Sequence, residues 1–186
     1  MEDRKVILKI EHLCKDFDIK AKSFTGKALK LHALSDISLD IYEGETLGII
    51  GESGCGKSTL GRCLVNLHPI TSGKLVYDGK ELNRLRKKER QALSREIQMV
   101  FQDPYSSLDP RHTAADSVEE PMIVHKTPAT ARERQERTIG LFREVGLDMQ
   151  HLNRYPHEFS GGQRQRLNIA RAIASNPRVV ICDEPV

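Results

Sequence analysis

The run Gly51-Glu52-Ser53-Gly54-Cys55-Gly56-Lys57-Ser58-Thr59 restricts the possible folds more than any other part of the chain. It fits G-x-x-x-x-G-K-[ST], in which glycines let the backbone curl until several N–H groups converge on a phosphate. Its flanks suit that role. Residues 46–50 form a short apolar run of the kind expected in a buried strand, and residues 57–66 have helical character. A helix starting there would aim the positive end of its dipole at the same phosphate. In that geometry Gly51, Ser53, Gly54, Cys55 and Gly56 enclose the ligand and Lys57 reaches its β- and γ-phosphates. Ser58 would ligate Mg²⁺, and Thr59 would add a contact to the α-phosphate. A glycine-rich turn before an unrelated helix is the plainer alternative, and the agreement of both flanks weighs against it.

The remaining pattern alternates strands and helices, which implies an α/β sheet. Residues 6–13 and 35–41 alternate as strands, Glu43-Gly44 reads as a turn, and residues 20–30 as a loop or exposed hairpin. Residues 74–77 followed by Asp78-Gly79 predict a hairpin, and residues 97–101 a further strand. From Asp103 to about Tyr155 no strand is evident. There Thr127 as N-cap and Pro128 at the first helical position open a charged helix that Gly146 ends. A second helix covers residues 164–175, and residues 179–183 form a last buried strand. The strand-free middle, residues 103–158, reads as a helical subdomain inserted within one domain of residues 1–186.

Composition excludes several classes. The chain has 186 residues with 29 basic and 26 acidic side chains, a net charge of +3 that gives nucleic acid no strong attractor. The cluster Arg84, Arg86, Lys87, Lys88 and Arg90 is interleaved with Glu81 and Glu89 and reads as a solvated helix face. No apolar run is long enough to span a bilayer, and the N-terminus lacks the apolar stretch of a signal peptide. Cys14, Cys55, Cys63 and Cys182 form no CxxC pair and read as reduced thiols in a cytoplasmic protein.

Two further constellations carry chemistry. Val179-Val180-Ile181-Cys182-Asp183-Glu184 is an apolar strand ending in two carboxylates. Beside a phosphate-binding loop, Asp183 would hold Mg²⁺, through water, and Glu184 would orient and deprotonate an attacking water. Phe159-Ser160-Gly161-Gly162-Gln163 precedes a helix, so Ser160 and the glycines stand where a helix N-terminus binds an anion, or where a serine simply caps a turn.

Taken in order, GESGCGKST, Gln102, FSGGQ and VVICDEP make nearly the whole chain resemble the nucleotide-binding domain of ABC transporters. The resemblance implies a P-loop NTPase fold: a RecA-like core with an antiparallel β subdomain and an inserted α-helical subdomain. It implies ATP and Mg²⁺ as cofactors and ATP hydrolysis by the intact protein. FSGGQ corresponds to the family's LSGGQ signature, with Phe159 in place of the leading Leu. Gln102 matches the glutamine that touches Mg²⁺ and water and links the ATP site to the transmembrane partner. Phe17 matches the aromatic that stacks on adenine, as a core Phe in a strand would also read. The family's head-to-tail pairing implies that Ser160, Gly161, Gly162 and Gln163 contact the γ-phosphate of ATP held by a second ATPase subunit, alike or homologous.

Residues 101–111, residues 155–158 before the signature, and the long insertion after Phe17 resemble the oligopeptide/dipeptide importer branch. Nickel importers and C–P lyase ATPases share parts of them. Transmembrane permease subunits, a solute-binding protein acting indirectly, and a peripheral place on the cytoplasmic membrane face follow from that resemblance. A soluble DNA-repair ATPase would call for a coiled-coil or zinc insertion between Gln102 and Ser160, and neither is present. A module that binds ATP only to assemble is opposed by Glu184. The family's D-loop, later strands and switch histidine would follow Pro185, so the chain reads as truncated. Alone it is expected to expose a sheet edge and apolar faces and to turn ATP over poorly.

Overall fold

The structure, a computed structural model, describes residues 4–19, 29–128 and 130–184. Most of the expected loop at residues 20–30 lies outside them. The chain divides into two compact units whose boundary, at Arg90/Gln91, falls within one helix.

The first unit is built on a four-stranded antiparallel sheet in the order β2-β1-β3-β4. β1 (Val6–Ile19) and β2 (Leu29–Tyr42) are both longer than the alternation predicts. β3 (Ser72–Tyr77) and β4 (Lys80–Glu81) make the expected hairpin, with Asp78 at φ 45° and Gly79 at φ 79° in the turn. Both central turn residues need positive φ, which is what Asp-Gly supplies. The helix α1 (Lys57–Leu64) completes this unit.

β1 is irregular at several places, Ile7 and Leu8 both being buried, and the break at His12 matters most. Leu8 and Ile10 face the core, then Leu13 and Lys15 do, so the buried parity switches from even to odd. His12 lies at the switch with φ 49°, where the β1–β2 register shifts between Ile10 and Leu13. Such a bulge adds a residue to one strand and rotates everything after it. Its geometry is held by His12 N–H donating to Ser38 Oγ (2.9 Å) and by His12 Nδ1 paired with Asp36 Oδ1 (2.7 Å). Gly73 on β3 leaves room for the protruding carbonyls, since a Cβ there would overlap the oxygens of Glu11 and His12.

The second unit pairs β5 (Ile97–Val100) with β6 (Val179–Cys182) in a parallel ladder, Val100 opposite Cys182. Between them run α3 (Ala114–His125), α4 (Ala131–Glu144) and α5 (Gly161–Ile173). α2 (Lys87–Glu96) leads into β5. The helices bury one cluster: Val118 and Met122 from α3, Leu141 and Phe142 from α4, Leu167 and Ala170 from α5, with Phe159 just before α5. Each large apolar side chain removed from water in this way contributes on the order of 1.5–3 kcal/mol. Residues 103–158 thus share their core with α5.

Four expectations are corrected. Residues 46–50 are not a buried strand: they join no ladder among the described residues, and Leu47, Ile49 and Ile50 are exposed, Ile50 to 98%. An apolar run becomes a strand only where a neighbour accepts its backbone hydrogen bonds. β6 is alternately half-buried and exposed, because its only partner in the described sheet is β5. α4 is capped by Thr130, not Thr127: Thr130 has Glu133 three residues on, and the two close a reciprocal capping box. α5 starts at Gly161 rather than at residue 164, because Ser160 and Gln163 form the same device. Gly146 ends α4 as expected, at φ 70°, with Leu147 N–H donating to the Phe142 carbonyl (2.8 Å).

Candidate functional site

In the first unit, the loop that precedes α1 has the backbone its glycines were expected to allow. Gly54 and Gly56 lie at φ 80° and 102°, and Gly56 is the left-handed N-cap of α1. A Cβ on Gly56 would stand 2.6 Å from the Ala33 carbonyl oxygen and 2.9 Å from Leu34 Cδ2 on β2. Any other residue there is excluded twice, by φ and by space. The Lys57 ammonium arches back over the loop, donating to the carbonyls of Gly51 (2.7 Å) and Glu52 (2.8 Å), with Cys55 Sγ at 3.8 Å. Those carbonyls mark where the cation stands: across the concave side of the loop, with Lys57, Ser58 and Thr59 half-buried in the first turn of α1. A tight turn that excludes side chains, a helix start and a lysine over its mouth form a cradle that suits a polyphosphate.

Phe17 belongs to the same unit and is half-buried near the end of β1. Its ring meets the His68 imidazole edge-on at 5.3 Å, and Lys15 Nζ lies 4.7 Å from its centroid. Sequence reasoning named Phe17 but neither neighbour. Lys15 and Phe17 are two apart on one strand and so share a face, which the alternation announces, whereas nothing local points to His68.

In the second unit, the parallel register positions the acidic strand end. Gln102 and Glu184 each stand two residues beyond the paired Val100 and Cys182, so their side chains emerge side by side. Gln102 Nε2 donates to Glu184 Oε2 at 2.7 Å, although the residues are 82 apart in sequence. Both are exposed, whereas Asp183, which directly follows the ladder and precedes Glu184, is buried, its N–H donated to the Val100 carbonyl (2.9 Å). Glu184 has φ 48°, a left-handed conformation that costs a non-glycine residue roughly 1 kcal/mol and turns its side chain off the strand direction. The sequence named all three residues, but their contact depends on strand register.

The third element is the start of α5. Ser160 Oγ accepts from Gln163 N–H (3.3 Å) while Gln163 Oε1 accepts from Ser160 N–H (3.0 Å). Gly161 and Gly162 follow, exposed, and a Cβ on either would have no neighbour within 4 Å. Phe159 turns the other way, 3% exposed in the helical core and edge-on to His151 at 5.5 Å. Phe in place of Leu is therefore a core anchor that fixes where the exposed turn points.

Residues 34–186 match the family described as ABC transporter. The chain belongs to the ABC transporter family. Among curated relatives, the oligopeptide transport ATP-binding protein OppF of Bacillus subtilis is 46% identical over 181 residues, covering 97% of this chain and 57% of that one. The glutathione import ATP-binding protein GsiA of Pectobacterium atrosepticum is 47% identical over 180 residues, 97% of this chain and 29% of that one. A solved structure, the dimeric post-hydrolysis state of the ATP-binding cassette MJ0796 bound to ADP and Pi, superposes with a TM-score of 0.86 at 32% identity, covering 97% of this chain and 75% of that one. The chain spans about half the length of OppF and under a third of GsiA. As a member of the ABC transporter family it has the P-loop α/β fold anticipated from its motifs. The antiparallel sheet, the parallel ladder and the helices between its strands are the described parts of that fold.

Proposed function

We propose that this chain is the ATP-binding and ATP-hydrolysing part of a motor that drives import of di- or oligopeptides. The observation that carries this reading is the 46–47% identity, over 97% of the chain, to proteins named for oligopeptide transport and for import of glutathione, itself a tripeptide.

The residues fit the roles the motifs imply. Lys57 and the N–H groups of residues 51–59 hold the β- and γ-phosphates, and Phe17 stacks on adenine. Ser58, Gln102 and, through water, Asp183 would hold Mg²⁺, whose charge would neutralise that of the phosphates. The cradle that a Cβ on Gly56 would fill, and the hydroxyl and carboxylate donors, suit a phosphate-bound divalent cation. Glu184 accepts the proton of the attacking water, and Gln102 holds the carboxylate by its side-chain amide until the water arrives. Ser160, Gly161, Gly162 and Gln163 present donors to the γ-phosphate of ATP held by a second ATPase subunit, where the open space around both glycines admits a partner. Permease subunits in the membrane receive the resulting motion, a solute-binding protein supplies the peptide, and the motor works from the cytoplasmic face as a peripheral subunit. Among the described residues no helix is long and apolar enough to cross a membrane.

Glu184→Gln in the full-length protein tests the mechanism. It should trap an ATP-bound dimer, read by light scattering, with turnover reduced at least a hundredfold. A variant that stays monomeric with ATP removes Glu184 from its role. Uptake of a labelled dipeptide that persists after loss of the protein would refute the peptide assignment.

A further inference from the structure

β1 carries a charged side chain on its buried face. Lys15 is 8% exposed, inside because the bulge at His12 shifts the buried parity. Among the described residues its ammonium makes no hydrogen bond or ion pair, and its contact is the Phe17 ring, 4.7 Å from the centroid. The adjacent carboxylate, Asp16, is turned to His32 Nδ1 at 2.8 Å instead. The Lys15 stem packs on the buried side of the sheet while the ammonium lies over the aromatic ring, whose face attracts it.

The position of this cation is informative. Lys15 stands opposite Leu34 in the β1–β2 ladder, and Leu34 is one of the groups that closes the space at Gly56 of the phosphate cradle. Phe17 stands opposite Leu31, three residues further along β2, roughly 10 Å at the rise of a strand. Lys15 thus lies on the stretch of sheet between the cradle and the aromatic ring. Lys15 stands over one face of the ring, His68 meets the ring in a T-shaped contact, and Phe17 remains half-exposed.

We propose that Lys15 is a positioning residue for base recognition: its ammonium on one face of Phe17 fixes the ring and polarises it, so that the opposite face is a set platform for a purine. The inference rests on the reading of Phe17 as the base-stacking aromatic. It involves no contact between Lys15 and the phosphates, and that separates it from a simple charge effect.

The test compares binding of ATP and of inorganic tripolyphosphate, each with Mg²⁺, to the purified chain and its variants. Lys15→Met keeps the apolar stem and deletes the charge, with Lys15→Gln as a second charge-free variant carrying the same expectations. Either should weaken ATP about threefold to tenfold and leave tripolyphosphate unchanged. Lys15→Arg should restore most of the loss, and Lys15→Met should add nothing in a Phe17→Ala background. Equal losses for both ligands, or unchanged ATP affinity in the charge-free variants, overturn the proposal. Loss in Phe17→Ala without loss in Lys15→Met overturns it while sparing the base-stacking reading; unchanged ATP affinity in Phe17→Ala removes both.

Discussion

Two pairs of glycines flank helix starts in this protein, and they are there for opposite reasons. Gly54 and Gly56 before α1 lie at φ 80° and 102°, and Gly56 presses on the β2 backbone. Gly161 and Gly162 at the start of α5 lie inside the helix, with open space where a side chain would be. The first pair is demanded by the chain's own geometry. The second meets no neighbour and costs helix stability, as the proposed approach of a second ATPase subunit's nucleotide would explain.

Substitutions can break this contrast. Gly56→Ala carries the largest expected effect: a Cβ 2.6 Å from a backbone oxygen at positive φ should destabilise the first unit by about 2–4 kcal/mol and abolish ATP binding, read by urea unfolding and equilibrium titration. Ser160→Ala removes the cap of α5 and should cost about 1 kcal/mol by the same unfolding measurement. Gly161→Ala should go the other way, raising stability by up to about 1 kcal/mol while weakening ATP-dependent dimerisation. A destabilised Gly161→Ala would erase the distinction between the two pairs.

The smallest effect sharpens the comparison by serving as a control in the helical unit. His125 on α3 is held below its ordinary value, first by burial and then by the charge of Arg95. The unfolded chain therefore binds that proton more readily than the folded one, and stability is lost as pH falls below about 6.5. His125→Asn should slightly flatten this dependence between pH 7 and 5, measured by thermal melts of both proteins, and should leave Gly161→Ala effects unchanged.

What could be read from the sequence was what short stretches decide for themselves. The loop at residues 51–59, the Asp78-Gly79 hairpin and the Gly146 helix stop all follow from local backbone chemistry, and each is present. Capping boxes are equally local, but Thr127-Pro128 offers a helix start that competes with Thr130 and Glu133, and the two glycines of FSGGQ are poor helix formers at the start of α5. Residues 46–50 and β6 failed differently: burial of a strand depends on neighbours that no window of sequence contains. The same limit hid the Gln102–Glu184 bond, which needs strand register, whereas Lys15 and Phe17, two apart on β1, share a face that alternation announces.

The equal offset of Gln102 and Glu184 from the end of their ladder has an evolutionary corollary. Deleting Phe101 would bring the Asp103 carboxylate to the place of the Gln102 amide, against Glu184, so that like charges meet where a donor met an acceptor. Solvent-exposed turns ordinarily tolerate changes in length. This one should be frozen in spacing even if its composition drifts, because the count of residues after β5 is what keeps the two ends in step.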